Sequence, residues 1–169
     1  LGIASPSQIK EEGTKMGTRA TIGVLNEDNS VEAIYLYWDG YPEWAGKRLV
    51  EYWSRFSKIR ELFKLGDLRV IGKEIGAAHN SNDPAVLDQY PDWCRFMLRD
   101  KYAWQEDPDD EPHDAELFSS VEEFLEAGEA SYALFAYLFK SGEWYVYTGC
   151  RPPGTLVAQV LQTDEAYKS

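Results

Sequence analysis

The sequence predicts an α+β domain: a mostly antiparallel sheet of about five strands with two or three helices packed on it. Three observations carry this expectation. Residues 18–25 and 31–38 are rich in β-branched and aromatic side chains and flank a short polar turn, "NEDNS", which makes them an antiparallel pair. A second hairpin is written at 132–139 and 143–148, with Gly142 able to supply positive φ in the turn. Between the hairpins, apolar residues recur at helical spacing over 42–65 and again over 119–127.

Taken in order, the first fifteen residues are polar and lack periodicity. They read as an extension, flexible or non-native, before a domain over 16–150. "EEGTKM" just ahead of Met16 is the pattern that a translated ribosome-binding site would leave, and a linker is the alternative. In 31–38, Val31, Ala33, Tyr35 and Tyr37 alternate with Glu32, Ile34, Leu36 and Trp38; only Glu32 is charged, so both faces should be largely covered. Asp39-Gly40 breaks that strand, and Pro42 fits the first turn of a helix, where its missing N–H costs nothing. Ala45, Leu49, Trp53 and Phe56 form that helix's apolar stripe. Ser57 can cap a second helix that Gly66 ends.

The stretch 67–86, with Gly72, Gly76 and "HNSNDP", reads as mostly loop. Residues 93–102 read as a strand with Cys94, Phe96 and Leu98 on one face. "QEDPDDEPHDAE" reads as an acidic loop, and Ser119 and Ser120 each stand three residues before a glutamate, the pattern of a capping box. Gly128 should end the helix that follows. After "CRPPG", residues 151–169 form a tail or an extra element, with 155–162 readable as strand or helix.

A chain of 169 residues can bury a useful core. No apolar run approaches the ~20 residues of a membrane span, and the N-terminus lacks the pattern of a signal peptide. Two cysteines, Cys94 and Cys150, are too few for a disulfide scaffold and read as reduced thiols in a cytoplasmic protein. Net charge is -12, unevenly spread: -4 over 1–46, +5 over 47–73 and -13 over 74–169. Such a balance repels phosphate and opposes nonspecific nucleic-acid binding, while the basic middle allows a local contact.

In their order, "MGTRATI", "YWDGYPEWAGKRLVEYW", "LFKLGDLRVIGKEIG", "FMLRDKY", "SSVEEFLEAGEASYALFAYLF" and "GEWYVYTG" resemble a family of small uncharacterised proteins encoded by bacteriophages and prophages. The likeness runs from Met16 to about Gly149. It departs at Arg99-Asp100-Lys101-Tyr102, where relatives often read Arg-Asp-Arg-Gly. The resemblance implies a phage or prophage origin, expression in bacterial cytoplasm and an accessory role; it implies no activity.

The sequence carries no phosphate-binding loop, no Cys-x-x-Cys pair and no EF-hand pattern. His79 and His113 lack ligand partners at metal-binding spacing, and the carboxylates around His113 read as a solvated acidic loop. No catalytic residue, metal or cofactor is therefore assigned. The constellation singled out is Arg19, Trp38, Asp39, Tyr41 and Trp44. Arg19 and Asp39 fall near the same end of the first hairpin, where they can form a bidentate ion pair. They either fasten the hairpin to the helix or hold an anionic or planar ligand between Trp38 and Tyr41. Gly46, inside a helix, favours a site or a close backbone contact, since glycine there costs roughly 1 kcal/mol against alanine. Lys47, Arg48, Arg55, Lys58, Arg60 and Lys64 read as a solvated helix face.

These readings give three expectations of function. The leading one is a phage-encoded accessory protein that binds a host protein, as an acidic inhibitor or nucleic-acid mimic. The second is a small ligand-binding domain or enzyme built on Arg19, Trp38 and Asp39. The third is a nucleic-acid binder acting through 47–64.

Overall fold

Residues 17–100 and 112–168 are described by the computed structural model of the chain, the side chains of 164–168 excepted. The expectations for residues 1–15, and for the acidic loop over 105–116 as far as position 111, lie outside the described residues. Strands β1 (Ala20–Leu25) and β2 (Val31–Leu36) form the expected antiparallel hairpin, with Ala20 opposite Leu36 and Leu25 opposite Val31. Its turn is closed locally: the Asp28 carboxylate accepts from the Ser30 N–H and hydroxyl, which holds that carboxyl below its ordinary range.

After β2 the chain reverses at Asp39, φ 56°, and at Gly40, whose N–H donates to Thr18 O at 2.9 Å. A wide π-helical turn, Pro42–Gly46, leads into α1 (Lys47–Tyr52) and then α2 (Phe56–Lys64). Gly66, φ 81°, ends α2 as its position suggested. There follow β3 (Leu68–Val70), α3 (Pro84–Gln89), β4 (Arg95–Phe96), β5 (Glu116–Phe118) and α4 (Val121–Ala130). The second hairpin is β6 (Phe135–Lys140) and β7 (Glu143–Thr148), and β8 (Thr155–Leu156) runs directly into α5 (Val157–Lys168).

The α+β class holds, but the sheet differs from the expectation of five mostly antiparallel strands. Among the described residues it has eight strands in mixed directions, ordered β4-β3-β2-β1-β6-β7-β8, with β5 sharing the outer edge of β2 with β3. The parallel pairs β2–β3 and β1–β6 have one cause. Each follows a helical crossover, through α1 and α2 in one case and from β5 through α4 in the other, and a crossover returns the chain in the same direction. Of the strand expected over 93–102, the described residues form only Arg95–Phe96, because Asp100 folds back to accept the Phe96 N–H.

Helices cover both faces. Ile22, Val24, Ile34, Leu36, Tyr137 and Trp144 meet Leu49, Trp53, Ile59 and Leu62 on one side. Val31, Ala33, Ala136 and Leu138 meet Phe124 and Leu125 of α4 on the other. This is the period-2 alternation of β2 realised as two cores. Helix α4 starts at a combined box: Ser120 Oγ accepts the Glu123 N–H at 3.1 Å, while the Ser119 N–H and hydroxyl donate to the Glu123 carboxylate. Gly128 does not end α4, which continues to Ala130; a Cβ there would lie 2.9 Å from Thr21 Cγ2, so the glycine permits close approach to β1. Gly46 has a similar explanation. Its Cβ would lie 2.9 Å from Val157 Cγ1 and 3.4 Å from the Tyr137 ring, so it lets the π-helical turn pack against α5 without invoking a ligand.

Candidate functional site

The residues singled out in the sequence divide between two places. Asp39, Tyr41 and Trp44 lie at the start of the π-helical turn. The charges acting on Asp39 are those of Arg95 and Arg48, and burial outweighs them, so its carboxyl titrates above its ordinary range. Burial, followed by the charges of Asp39 and Glu43, raises the Tyr41 phenol as well. Trp44 donates its indole N–H to Ile71 O at 3.1 Å, and the Arg48 guanidinium lies 3.4 Å from the Trp44 ring centroid. Trp38 is 40% exposed and continues β2 along β3 by donating its N–H to Arg69 O. These contacts bind the strand end to the helix and to β3.

Arg19 belongs elsewhere, and no ion pair joins it to Asp39 among the described residues. It lines a cleft of about 360 Å³ on the α4 side of the sheet with Tyr35, Tyr37, Asp67, Glu116, Ser131 and Tyr132. The Arg19 guanidinium lies 5.6 Å from the Tyr37 ring centroid, and Tyr37 meets Tyr35 edge to face at 4.9 Å. The Tyr35 hydroxyl donates to Ser131 O, just past the end of α4, at 2.5 Å. Burial raises the Tyr35 phenol, opposed by the charge of Arg19 and its hydrogen bond to that phenol.

Asp67 is the pivot of the cleft. On the outer edge of β2, β5 pairs as far as Ala33 and β3 starts at Leu36, which leaves the Tyr35 N–H between them. Asp67 Oδ1 fills the gap, accepting that N–H at 2.8 Å. Its Oδ2 lies 3.1 Å from His113 Nδ1, so with Asp67 ionised this nitrogen carries the proton and donates. The Asp67 N–H also donates to His113 O at 2.7 Å. Burial raises the Asp67 carboxyl above its ordinary range, and the bonds from Tyr35 and His113 only partly oppose it.

Sequence reasoning placed His113 in a solvated acidic loop, whereas it is buried, with 7% exposure. The acidic, proline-rich composition around it masked this, and nothing local in sequence marks Asp67 as its partner. The thiols offer no nucleophile: burial pushes Cys94 up to about 12 and Cys150 up to about 11. No group of three or more His, Cys, Asp or Glu side chains able to hold a metal ion occurs among the described residues.

A second concavity, about 630 Å³, runs between α4 and the segment that joins β7 to β8. Val121, Leu125, Tyr147 and Cys150 give it apolar surface, while Glu122, Glu126 and Glu129 stand along it on α4. At positions i, i+4 and i+7 these glutamates share one helix face. Arg151 pairs with Glu129 at 3.0 Å. The basic segment is mostly a solvated face: Lys47, Arg55, Lys58 and Lys64 are exposed, Arg48 is half-buried, and Arg60 lies 3.8 Å from Glu32.

Fold and sites define an α+β domain with one mixed sheet, helices on both faces, a polar cleft and an acid-rimmed groove. Comparison with protein-family models, with curated proteins and with solved structures gives no match, so function is argued from this chain's own residues. Among the described residues no helix is long and apolar enough to cross a membrane.

Proposed function

We propose that the chain is a phage-type accessory protein that acts in the bacterial cytoplasm by binding a host protein, with the acidic face of α4 as its contact surface. The observation that supports this reading is the groove beside α4. An apolar floor of Val121, Leu125 and Tyr147 lies next to a row of exposed glutamates. With a rise of about 1.5 Å per residue, Glu122 and Glu126 stand about 6 Å apart along the helix. Among the described residues Arg151 is the one cation lining the groove, and it is engaged by Glu129.

With a chain charge of -12, this face attracts a partner whose surface is basic and whose contact includes apolar side chains. A nucleic-acid-binding protein has such a surface, and the row of carboxylates then takes the place of phosphates.

The test uses the immobilised protein and lysate of a bacterial host. Specific retention of a basic protein is expected at low salt, falling as salt rises. Reversing the charge of the row with Glu122→Lys and Glu126→Lys should reduce retention at least tenfold. Both side chains are exposed, so the fold should survive the change. No specific retention, or retention untouched by the double reversal, would count against the reading.

A further inference from the structure

The Arg19 cleft lies apart from the α4 groove, and its charges are arranged with opposite signs. We infer that it binds a zwitterionic, amino-acid-sized molecule, with the carboxylate on Arg19 and the ammonium towards Glu116.

The positive end is Arg19. Its guanidinium is positioned by the Tyr37 ring face and by the Tyr35 hydroxyl, and among the described residues it makes no ion pair. A guanidinium has five N–H donors in a planar fork that matches a carboxylate in two parallel bonds, so donors remain once Tyr35 is served.

The negative end has two parts. Glu116 is exposed on β5. Asp67 is buried, with one oxygen on the Tyr35 N–H and the other on His113, so it acts as a fixed charge rather than a ligand group. Tyr132, exposed on the rim, adds aromatic surface, to which ammonium groups are attracted.

This arrangement discriminates by charge type. A simple anion would meet Arg19 but be repelled by Glu116 and Asp67. A simple cation would be repelled by Arg19. A molecule carrying both charges is opposed by neither, and about 360 Å³ matches the lower part of the range for small-molecule sites, roughly 300–1,000 Å³.

The experiment screens the twenty protein amino acids singly against the whole chain by ligand-observed NMR. Each binder's N-acetyl and methyl-ester forms are then measured by titration calorimetry. At least one free amino acid is expected to bind, with a loss of tenfold or more when either charge is blocked. Arg19→Gln and Glu116→Gln should each weaken binding tenfold or more; both side chains are exposed, and unchanged thermal unfolding would show that the fold is kept. Three results would overturn the inference: no amino acid binding at millimolar concentration, blocked forms binding as well as the free one, or binding indifferent to Arg19→Gln in a folded variant. None of these bears on the α4 groove, so the two proposals stand or fall separately.

Discussion

Replacing Asp100 with alanine is expected to remove about 3–5 kcal/mol of folding stability, because it strips one partner from a buried ion pair. Asp100 is 0% exposed. Its Oδ1 accepts from the His79 N–H at 3.0 Å and from Arg99 Nε at 2.9 Å. Its Oδ2 accepts from the Phe96 N–H at 2.8 Å and from an Arg99 Nη at 3.1 Å. Arg99 in turn donates to Gly76 O and Ile75 O. One carboxylate therefore ties the end of β4 to the loop over 75–79. Alanine would leave two backbone donors and a guanidinium without it. Asparagine should be milder, since its oxygen can still take one side of the fork. Urea unfolding of the three proteins checks this; a loss below about 1 kcal/mol for Asp100→Ala would mean the network relaxes around the gap.

Trp53→Ala should cost about as much, roughly 3–5 kcal/mol, for a different reason. Trp53 is 2% exposed and joins three segments. Its ring fills the core beneath the sheet, its indole N–H donates to Gly72 O at 2.9 Å, and its own carbonyl accepts the Trp144 indole N–H at 2.9 Å. Alanine opens a cavity and orphans the Gly72 carbonyl. Trp53→Phe keeps most of the volume and loses the hydrogen bond, so about 1–3 kcal/mol is expected. Thermal unfolding of both variants separates cavity from hydrogen bond. Equal losses would show that the indole bond, not the ring volume, dominates.

The elements that were legible in sequence are those with enough residues to show a period. The two hairpins and the reversal at Asp39-Gly40 follow from alternation and turn chemistry, and Gly66 and the Ser119/Ser120 box follow from helix-end rules. Strands β3, β5 and β8 have only two or three residues each. No periodicity can be read in such runs, and they are the strands that enlarge the sheet and, with the crossovers, mix its directions.

The candidate site was legible in one residue, Arg19. Its partners are tertiary. Asp67 and His113 lie 46 positions apart and meet because Asp67 fills a gap in the β2 ladder. Tyr35 and Tyr37 were read only as strand residues, although the face they occupy borders the cleft. Arg19 and Asp39 were placed together because they sit at the same hairpin end. Arg19 instead takes the face of Tyr35 and Tyr37, while Asp39 sits in the left-handed conformation of the following turn, under the charges of Arg95 and Arg48.

The proposed function turns on which surface would meet a host protein. Hydrogen exchange on the protein, free and with a host protein retained in the lysate experiment, measures this directly. Slowed exchange should fall on the α4 amides, 121–130, and on 150–156 across the groove, and should vanish with the Glu122→Lys and Glu126→Lys reversal. Protection confined to the basic segment 47–64, with α4 exchanging as in the free protein, would contradict the proposed contact surface.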